Sequence, residues 1–157
     1  DETTAGDACE IEIAWEMTKQ KERDAVDASI LDGVPKQMPA LAYAQAVQER
    51  AARTGFDWDD YRGVLDKVTE ELEELEKAKH STEREGELGD LLFSMVNAAR
   101  WLEVEAEGAL RRTNARFYRR FVTMERLSRE RGLSFTELPL DDKEALWQEA
   151  KRMERRL

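Results

Sequence analysis

Two groups of acidic residues lie close together near the middle of the chain. The first group contains Glu70, Glu71 and Glu74, and the second contains Glu87 and Asp90. Within each group a spacing of three residues places carboxylates on neighbouring positions of a helix surface. Negative charge concentrated in this way is unfavourable unless a cation neutralises it, and oxygen ligands suit Mg²⁺ or Mn²⁺. The spacing predicts a Mg²⁺ site, with Mn²⁺ as the alternative ion, against the simpler interpretation of two solvated acidic helix faces.

The two groups lie on a predicted helical hairpin that runs from Lys67 to Asn97. Glu74 precedes a predicted turn at His80 and Ser81 by nearly as many residues as Glu87 follows it, so both carboxylates are expected roughly 9–10 Å from the turn. They can therefore face each other at one level. Apolar residues recur with helical period in both halves, which predicts core-facing stripes. These stripes are Tyr61, Val64, Leu65, Val68, Leu72 and Leu75, followed by Leu88, Leu91, Leu92, Met95, Ala99 and Leu102.

A polar stripe continues along the second helix beyond its carboxylates. It passes through the otherwise apolar stretch LLFSMVNAA and includes Ser94 and Asn97. An exposed amide has no solubility role there, and a buried amide needs a hydrogen-bond partner. This pattern favours a binding site over a solvated surface.

The acidic motifs resemble those of the MazG family of nucleoside triphosphate pyrophosphohydrolases, in which EExxE is followed at a variable distance by ExxD. Here EExxE is Glu70, Glu71 and Glu74, and ExxD is Glu87 and Asp90. The resemblance extends through the phrases SILDGVPK, RTGFDW, DKVTEELEEL, GELGDLLFSMVNAAR, ALRRTNARFYRRF and ALWQEAK. It covers roughly residues 29–157. It implies an all-α fold, an antiparallel helical bundle of the all-α NTP pyrophosphatase type.

The resemblance also implies a reaction. A nucleoside triphosphate, NTP or dNTP, is hydrolysed between its α and β phosphates with Mg²⁺, giving the monophosphate and pyrophosphate. The implied metal ligands are Glu71, Glu74, Glu87 and Asp90. Water activated at the metal, with help from Glu70, is expected to attack phosphorus.

Five residues are expected to bind substrate. Lys67, which also has a catalytic role, is implied to neutralise phosphate oxygens together with Arg116 and Arg120. Arg116 stands where the family usually has Lys, which keeps the charge but changes the donor geometry. Asn97 is expected to contact sugar or base. Trp58 either stacks on a nucleobase or packs on the bundle and sets the direction of the next helix.

Composition and charge limit the functional class. The chain has 157 residues, of which 41% are hydrophobic and 38% charged, and this predicts one folded domain. No apolar run of about 18 residues and no signal-peptide pattern occur, so we expect a cytoplasmic protein with no membrane partner. The net charge of −10 argues against a nucleic-acid polymer as partner. Residues 70–90 contain nine acidic and three basic residues, whereas residues 111–131 contain eight arginines and two glutamates, which suits a polyphosphate with bound cations.

The remaining segments are assigned from their patterns. Residues 1–28 are expected to be a linker or a remnant helix of an upstream segment, and residues 29–157 the MazG-like domain. Helices are predicted at Ala40–Arg53, at Ala109–Arg131 and from Asp141 through Arg156. Asp57 is the predicted N-cap of the first hairpin helix.

Several apolar side chains remain without cover in a single predicted bundle. Because exposed apolar patches usually mark an interface, we expect a symmetric homodimer or a dimer of dimers. Two alternatives to a general pyrophosphohydrolase stay open: a narrower enzyme for deoxynucleotides or damaged nucleotides, and a catalytically silent helical interaction module. The intact carboxylate and cationic positions argue against the silent module. The uncovered side chains are Phe93, Val96, Trp101, Trp147 and Met153.

Overall fold

The computed structural model describes residues 28–155. Within this range the chain forms α-helices and one 3-10 turn, with no strand, which confirms the predicted all-α fold. The elements are α1 (Ala40–Ala52), α2 (Tyr61–Lys77), α3 (Ser81–Trp101), α4 (Ala106–Glu130), the 3-10 turn (Phe135–Glu137) and α5 (Leu140–Glu154). None of these helices combines the length and the apolarity needed to cross a membrane. Except for Ala28, the segment predicted as a linker or remnant helix, residues 1–28, lies outside the described residues, and so does Arg156, the predicted end of the last helix.

Helices α2 and α3 fold back on each other as the predicted hairpin and make the most extensive helix pair. Helix α1 packs on α3 and on α4, while α5 pairs with α4. Val64 of α2 is almost completely buried, and so is Val96 of α3. A second apolar cluster lies between α4 and α5 and contains Met124, Leu127, Leu146 and Ala150.

The first hairpin helix begins at a different cap from the one predicted. The carboxylate of Asp60 accepts a hydrogen bond from the Gly63 N–H at 2.9 Å, so Asp60 and not Asp57 is the N-cap. Asp57 is unavailable for capping because its carboxylate accepts from the guanidinium of Arg100. The sequence offers three aspartates in this loop, and the ion pair with Arg100 engages one of them, Asp57.

Helix α4 begins three residues earlier than predicted, at Ala106, because a side chain from α1 caps it. The Gln45 Oε1 atom accepts from the Ala106 N–H at 2.9 Å, and its Nε2 donates to the Val104 carbonyl at 3.2 Å. The helix then ends as predicted before Gly132, whose φ of +68° is one that glycine adopts readily.

Half of the twelve residues in the predicted core stripes of the hairpin are exposed on this chain, so the stripes do not face the core as expected. Leu72 of α2 is 55% exposed and Met95 of α3 is 53% exposed. The reason is that α3 turns Ser94 and Asn97, its polar side, towards α1 and α2, and its leucine side then points away from the bundle. Val96, expected to lack cover, is buried within the chain. The exposed members of the stripes are Leu65, Leu72, Leu88, Leu92, Met95 and Leu102.

Candidate active site

The hairpin brings three of the predicted metal ligands together. One carboxylate oxygen from each of Glu71, Glu74 and Glu87 lies within 4.8 Å of the other two. Glu71 and Glu74 are one helical turn apart on α2, and Glu87 faces them from α3. This is the arrangement that the equal distances from the connection predict.

Glu71 is the most unusual member of the group because it is charged and only 4% exposed. Its Oε1 accepts a charge-assisted hydrogen bond from Lys67 Nζ at 2.6 Å. Its Oε2 is buried and has no hydrogen-bond partner in the described part of the chain. A buried carboxylate oxygen without a partner is costly, and a hard divalent cation is the kind of group that it suits. The donor set therefore fits a cation such as Mg²⁺.

Lys67 links the group of three carboxylates to the neighbouring Glu70. Its ammonium contacts Glu71 at 2.6 Å and Glu70 at 3.0 Å. The hydrogen bonds that Lys67 donates to these two carboxylates, that to Glu71 first, raise the pKa of Lys67 above its ordinary value. Lys67 is therefore a fixed positive charge at the edge of the carboxylate group.

The carboxyl group of Glu87 has a raised pKa, partly from desolvation and partly because other negative charges lie near it. Desolvation raises the pKa of this carboxyl, and the charges of Glu74, Glu71, Asp90 and Glu83 raise it further. Asp90 is exposed and lies outside the group of three, so its role as a ligand stays a prediction. A bound cation would reverse the repulsion that Glu87 experiences.

A cleft of about 580 Å³ opens beside Lys67, between α1, α3 and the loop before α2. Three predicted substrate-binding residues, Lys67, Asn97 and Trp58, line it together. Much of the remaining lining is apolar, with Val47 and Phe56 among its residues. The cleft thus combines charged, polar and apolar side chains, which is typical of a site for a charged ligand with an aromatic part.

The ion pair between Arg100 and Asp57 at this cleft was not predicted from the sequence. Arg100 donates to Asp57 through Nη1 at 2.9 Å, and through Nε to Asn97 Oδ1 at 3.0 Å. The hydrogen bond from Arg100 is the main cause that holds the pKa of Asp57 below its usual value. The sequence signal that could have found Arg100 is its spacing from Asn97. Residues three apart on a helix are neighbours on its surface, so Arg100 is expected beside Asn97.

Gln48 is the second residue that the sequence analysis overlooks. It follows Val47 on α1, lines the cleft and is buried. The signal that could have found it is a polar residue that directly follows the mostly small and apolar stretch ALAYAQAV.

The structure does not bring the two predicted arginines of α4 to this cleft. Arg116 donates to Thr113 Oγ1 at 3.1 Å. Arg120 pairs with Glu154 at 2.6 Å, and its guanidinium lies 5.6 Å from the ring centroid of Trp147. Neither lines the cleft of the same chain. Their contact with phosphate therefore stays a prediction.

Comparison with known proteins decides the family resemblance. A Thermotoga maritima protein named nucleoside triphosphate pyrophosphohydrolase/pyrophosphatase MazG is 43% identical over 137 residues, which is 87% of this chain. An Escherichia coli K12 protein named nucleoside triphosphate pyrophosphohydrolase is 40% identical over 159 aligned positions, 98% of this chain. This chain is a relative of MazG.

The MazG resemblance is thereby confirmed over most of the chain. The chain spans 54% of the Thermotoga MazG protein and 60% of the E. coli protein, so it corresponds to part of each. It also matches 30% of the Bacillus subtilis protein YabN, at 40% identity. No protein-family model matches the chain.

Proposed function

We propose that this MazG relative hydrolyses nucleoside triphosphates to nucleoside monophosphate and pyrophosphate, with Mg²⁺ as its cation. The observation that carries the proposal is the buried, unpartnered Oε2 of Glu71 within a group of three carboxylates. The names of the Thermotoga and E. coli relatives support the same reaction. The reaction needs both a cation site and a place for the nucleoside, and the cleft adjoins the carboxylates.

In the proposed reaction the acidic residues bind the cation, and the basic residue Lys67 contacts the phosphate. Glu71, Glu74 and Glu87 hold the cation, and Asp90 completes its surroundings. When bound, the cation polarises the phosphate oxygens and promotes ionisation of water. The positive charge of Lys67 stabilises the negative charge that develops on the phosphate during hydrolysis.

Glu70 takes up the proton of the attacking water. It is exposed, so it can exchange that proton with solvent, and its contact with Lys67 keeps it beside the carboxylate group. The nucleoside lies in the cleft, where Asn97 offers a polar contact and Trp58 an aromatic face. The substrate is thus a free nucleotide and not a nucleic-acid polymer. We place the activity in the cytoplasm, where nucleoside triphosphates are made and used.

The exposed apolar stripes of α2 and α3 support assembly as a symmetric homodimer or a dimer of dimers. Six large apolar side chains of these stripes are exposed on one chain. Burying them against a second copy would remove an unfavourable surface from water. In such an assembly Arg116 and Arg120 of one subunit can approach phosphate held by the other.

Product analysis tests the proposed reaction. The protein is incubated with a panel of NTPs and dNTPs with and without Mg²⁺, and monophosphate, diphosphate, orthophosphate and pyrophosphate are separated by anion-exchange chromatography. We expect monophosphate and pyrophosphate in equal amounts, only with Mg²⁺, and none from Glu74→Gln. Glu73→Gln is the matched control, because Glu73 is an exposed residue of the same helix that pairs with Lys77. Absence of pyrophosphate from every nucleotide would favour the silent interaction module.

A further inference from the structure

The amide of Gln48 has a fixed orientation. Its Nε2 donates to the main-chain carbonyl of Phe93 at 2.9 Å. A carbonyl oxygen can only accept, so the NH₂ group must face Phe93 and the Oε1 atom must face the other way. Contact with the backbone of α3 therefore determines which end of the amide is free.

The Oε1 atom of Gln48 has no hydrogen-bond donor in the described part of the chain. Gln48 is only 8% exposed, and Oε1 is buried without a partner among residues 28–155. Buried polar atoms in folded proteins nearly always have a hydrogen-bond partner, and exceptions call for an explanation. Because Gln48 lines the cleft beside Asn97 and Trp58, a ligand in the cleft can supply the missing donor.

The neighbouring amide is also oriented. Asn97 Oδ1 accepts from Arg100 Nε at 3.0 Å, which leaves the Asn97 NH₂ group as a donor. Of these two cleft-lining residues, Gln48 thus keeps Oε1 as an unused acceptor and Asn97 keeps Nδ2 as a donor. The common nucleobases each carry an N–H beside an acceptor atom on their Watson–Crick edge, which is the complementary pattern.

We propose that Gln48 accepts a hydrogen bond from an N–H group on the Watson–Crick edge of the nucleobase. This inference rests on the proposed function, because it places the base of a nucleoside triphosphate in the cleft. Phe56, Trp58 and Phe93 are aromatic residues of the cleft lining and Val47 is an apolar one, so the cleft suits a flat base more than a sugar. The site accepts all common bases and discriminates against a base that lacks the N–H donor.

The test compares ATP with purine riboside triphosphate, which lacks the 6-amino group of adenine but keeps the ring acceptor. The value of kcat/KM is measured for both with wild type and with Gln48→Met, a variant of similar length without the acceptor. We expect the wild type to prefer ATP by about tenfold or more, since the analogue leaves a buried acceptor unpaired. Gln48→Met should treat the two substrates alike. The ratio cancels any loss of active protein.

Gln45→Met is the matched control. Gln45 lies on the same helix and hydrogen-bonds to the start of α4 instead of lining the cleft. It should keep the wild-type preference for ATP. The ratio of ATP to 2′-deoxy-ATP is measured in parallel with all three proteins, and we expect Gln48→Met to leave it unchanged.

The outcomes separate this inference from the proposed function. Equal kcat/KM for both purine substrates in wild type overturns the inference and leaves the hydrolysis standing, and this comparison needs no variant to fold. An ATP preference retained by Gln48→Met also overturns it, and so does a change confined to the 2′-deoxy ratio, which would place Gln48 against the sugar. If wild type hydrolyses neither nucleotide, the proposed reaction fails, and equal calorimetric Kd values for the two nucleotides then overturn the inference as well.

Discussion

Replacing Glu71 with Gln should abolish cation binding while leaving the metal-free protein almost as stable as wild type. The substitution keeps the size of the side chain and removes its charge. The Oε2 atom of Glu71 is one of two buried side-chain oxygens without a partner in the described part of the chain. An amide at this position is a much weaker ligand for Mg²⁺ than a carboxylate.

The charges around Glu71 give the size of the effect in the metal-free protein. Its oxygen lies within 4.8 Å of those of Glu74 and Glu87, and each repulsion at that distance is about 0.9 kcal/mol in a water-like dielectric. The attraction of Lys67, at 2.6 Å, is about 1.6 kcal/mol on the same scale. Two repulsions and one attraction nearly cancel. We therefore expect the Tm of metal-free Glu71→Gln within about 4 °C of the wild-type value.

Thermal unfolding with and without Mg²⁺ measures both parts of this prediction. At a cation concentration about 100 times the Kd, the wild type should gain about 2.7 kcal/mol. For a chain of 157 residues this corresponds to a rise in Tm of about 5–11 °C. Glu71→Gln should show no rise at the same concentration. Glu73→Gln, on the exposed side of the same helix, should show the full rise.

Two results would refute this reasoning. A full Mg²⁺-dependent rise in Glu71→Gln would remove Glu71 from the ligand set. A metal-free variant destabilised by as much as Mg²⁺ stabilises the wild type would show that the carboxylate holds the helix together through Lys67. In that case the buried position of Glu71 would have a structural cause.

Three further predictions concern acid stability, helix stability and assembly. Arg100 holds the pKa of Asp57 below its usual 3.8. The pair therefore stabilises the fold above that pH, and this stabilisation is lost as the pH falls through the lower pKa of the folded state. The Tm difference between wild type and Asp57→Asn should be constant near neutrality and shrink in acid. Gly86 lies inside α3, and a methyl group added at its Cα would meet no other side chain within 4 Å. Because alanine favours a helix interior more than glycine does, Gly86→Ala should raise the free energy of unfolding, measured in urea, by about 0.5–1 kcal/mol. Leu92 is one of the exposed apolar residues of α3 that the proposed dimer would bury. In sedimentation, Leu92→Glu should therefore be an 18.2 kDa monomer, whereas the wild type should be a dimer. A fully active wild-type monomer would contradict the proposed assembly.

The carboxylate hairpin was predictable because its evidence is local. Helical periodicity fixes the two helices, and the similar distances of Glu74 and Glu87 from the connection fix their level. No long-range information is needed to bring the three carboxylates of the group together. The helix types and their order follow from the same kind of local signal.

The orientation of α3 and the composition of the cleft were not predictable in this way. A helix with an apolar and a polar stripe is normally expected to bury the apolar one. Here the polar side that carries Asn97 faces the bundle, and the choice depends on how α1 packs across α3. Gln48 and Arg100 acquire their positions from the same packing, since Gln48 contacts Phe93 and Arg100 reaches Asp57 across 43 residues.

Helix α4 has a consequence for how the molecule opens. It has 25 residues, about 37 Å at 1.5 Å per residue. Gln45 of α1 holds its first turn, whereas the cluster with Met124 and Leu127 joins its second half to α5. Detaching α5 would expose that cluster and leave the contacts between α1, α2 and α3 in place.

Amide hydrogen exchange in α5 is therefore expected to proceed through a local opening that costs less free energy than global unfolding. The same opening breaks the ion pair between Arg120 and Glu154. Each such event releases a guanidinium while the carboxylate hairpin stays folded. Helix α5 can thus exchange conformations on its own timescale without separating Glu71, Glu74 and Glu87.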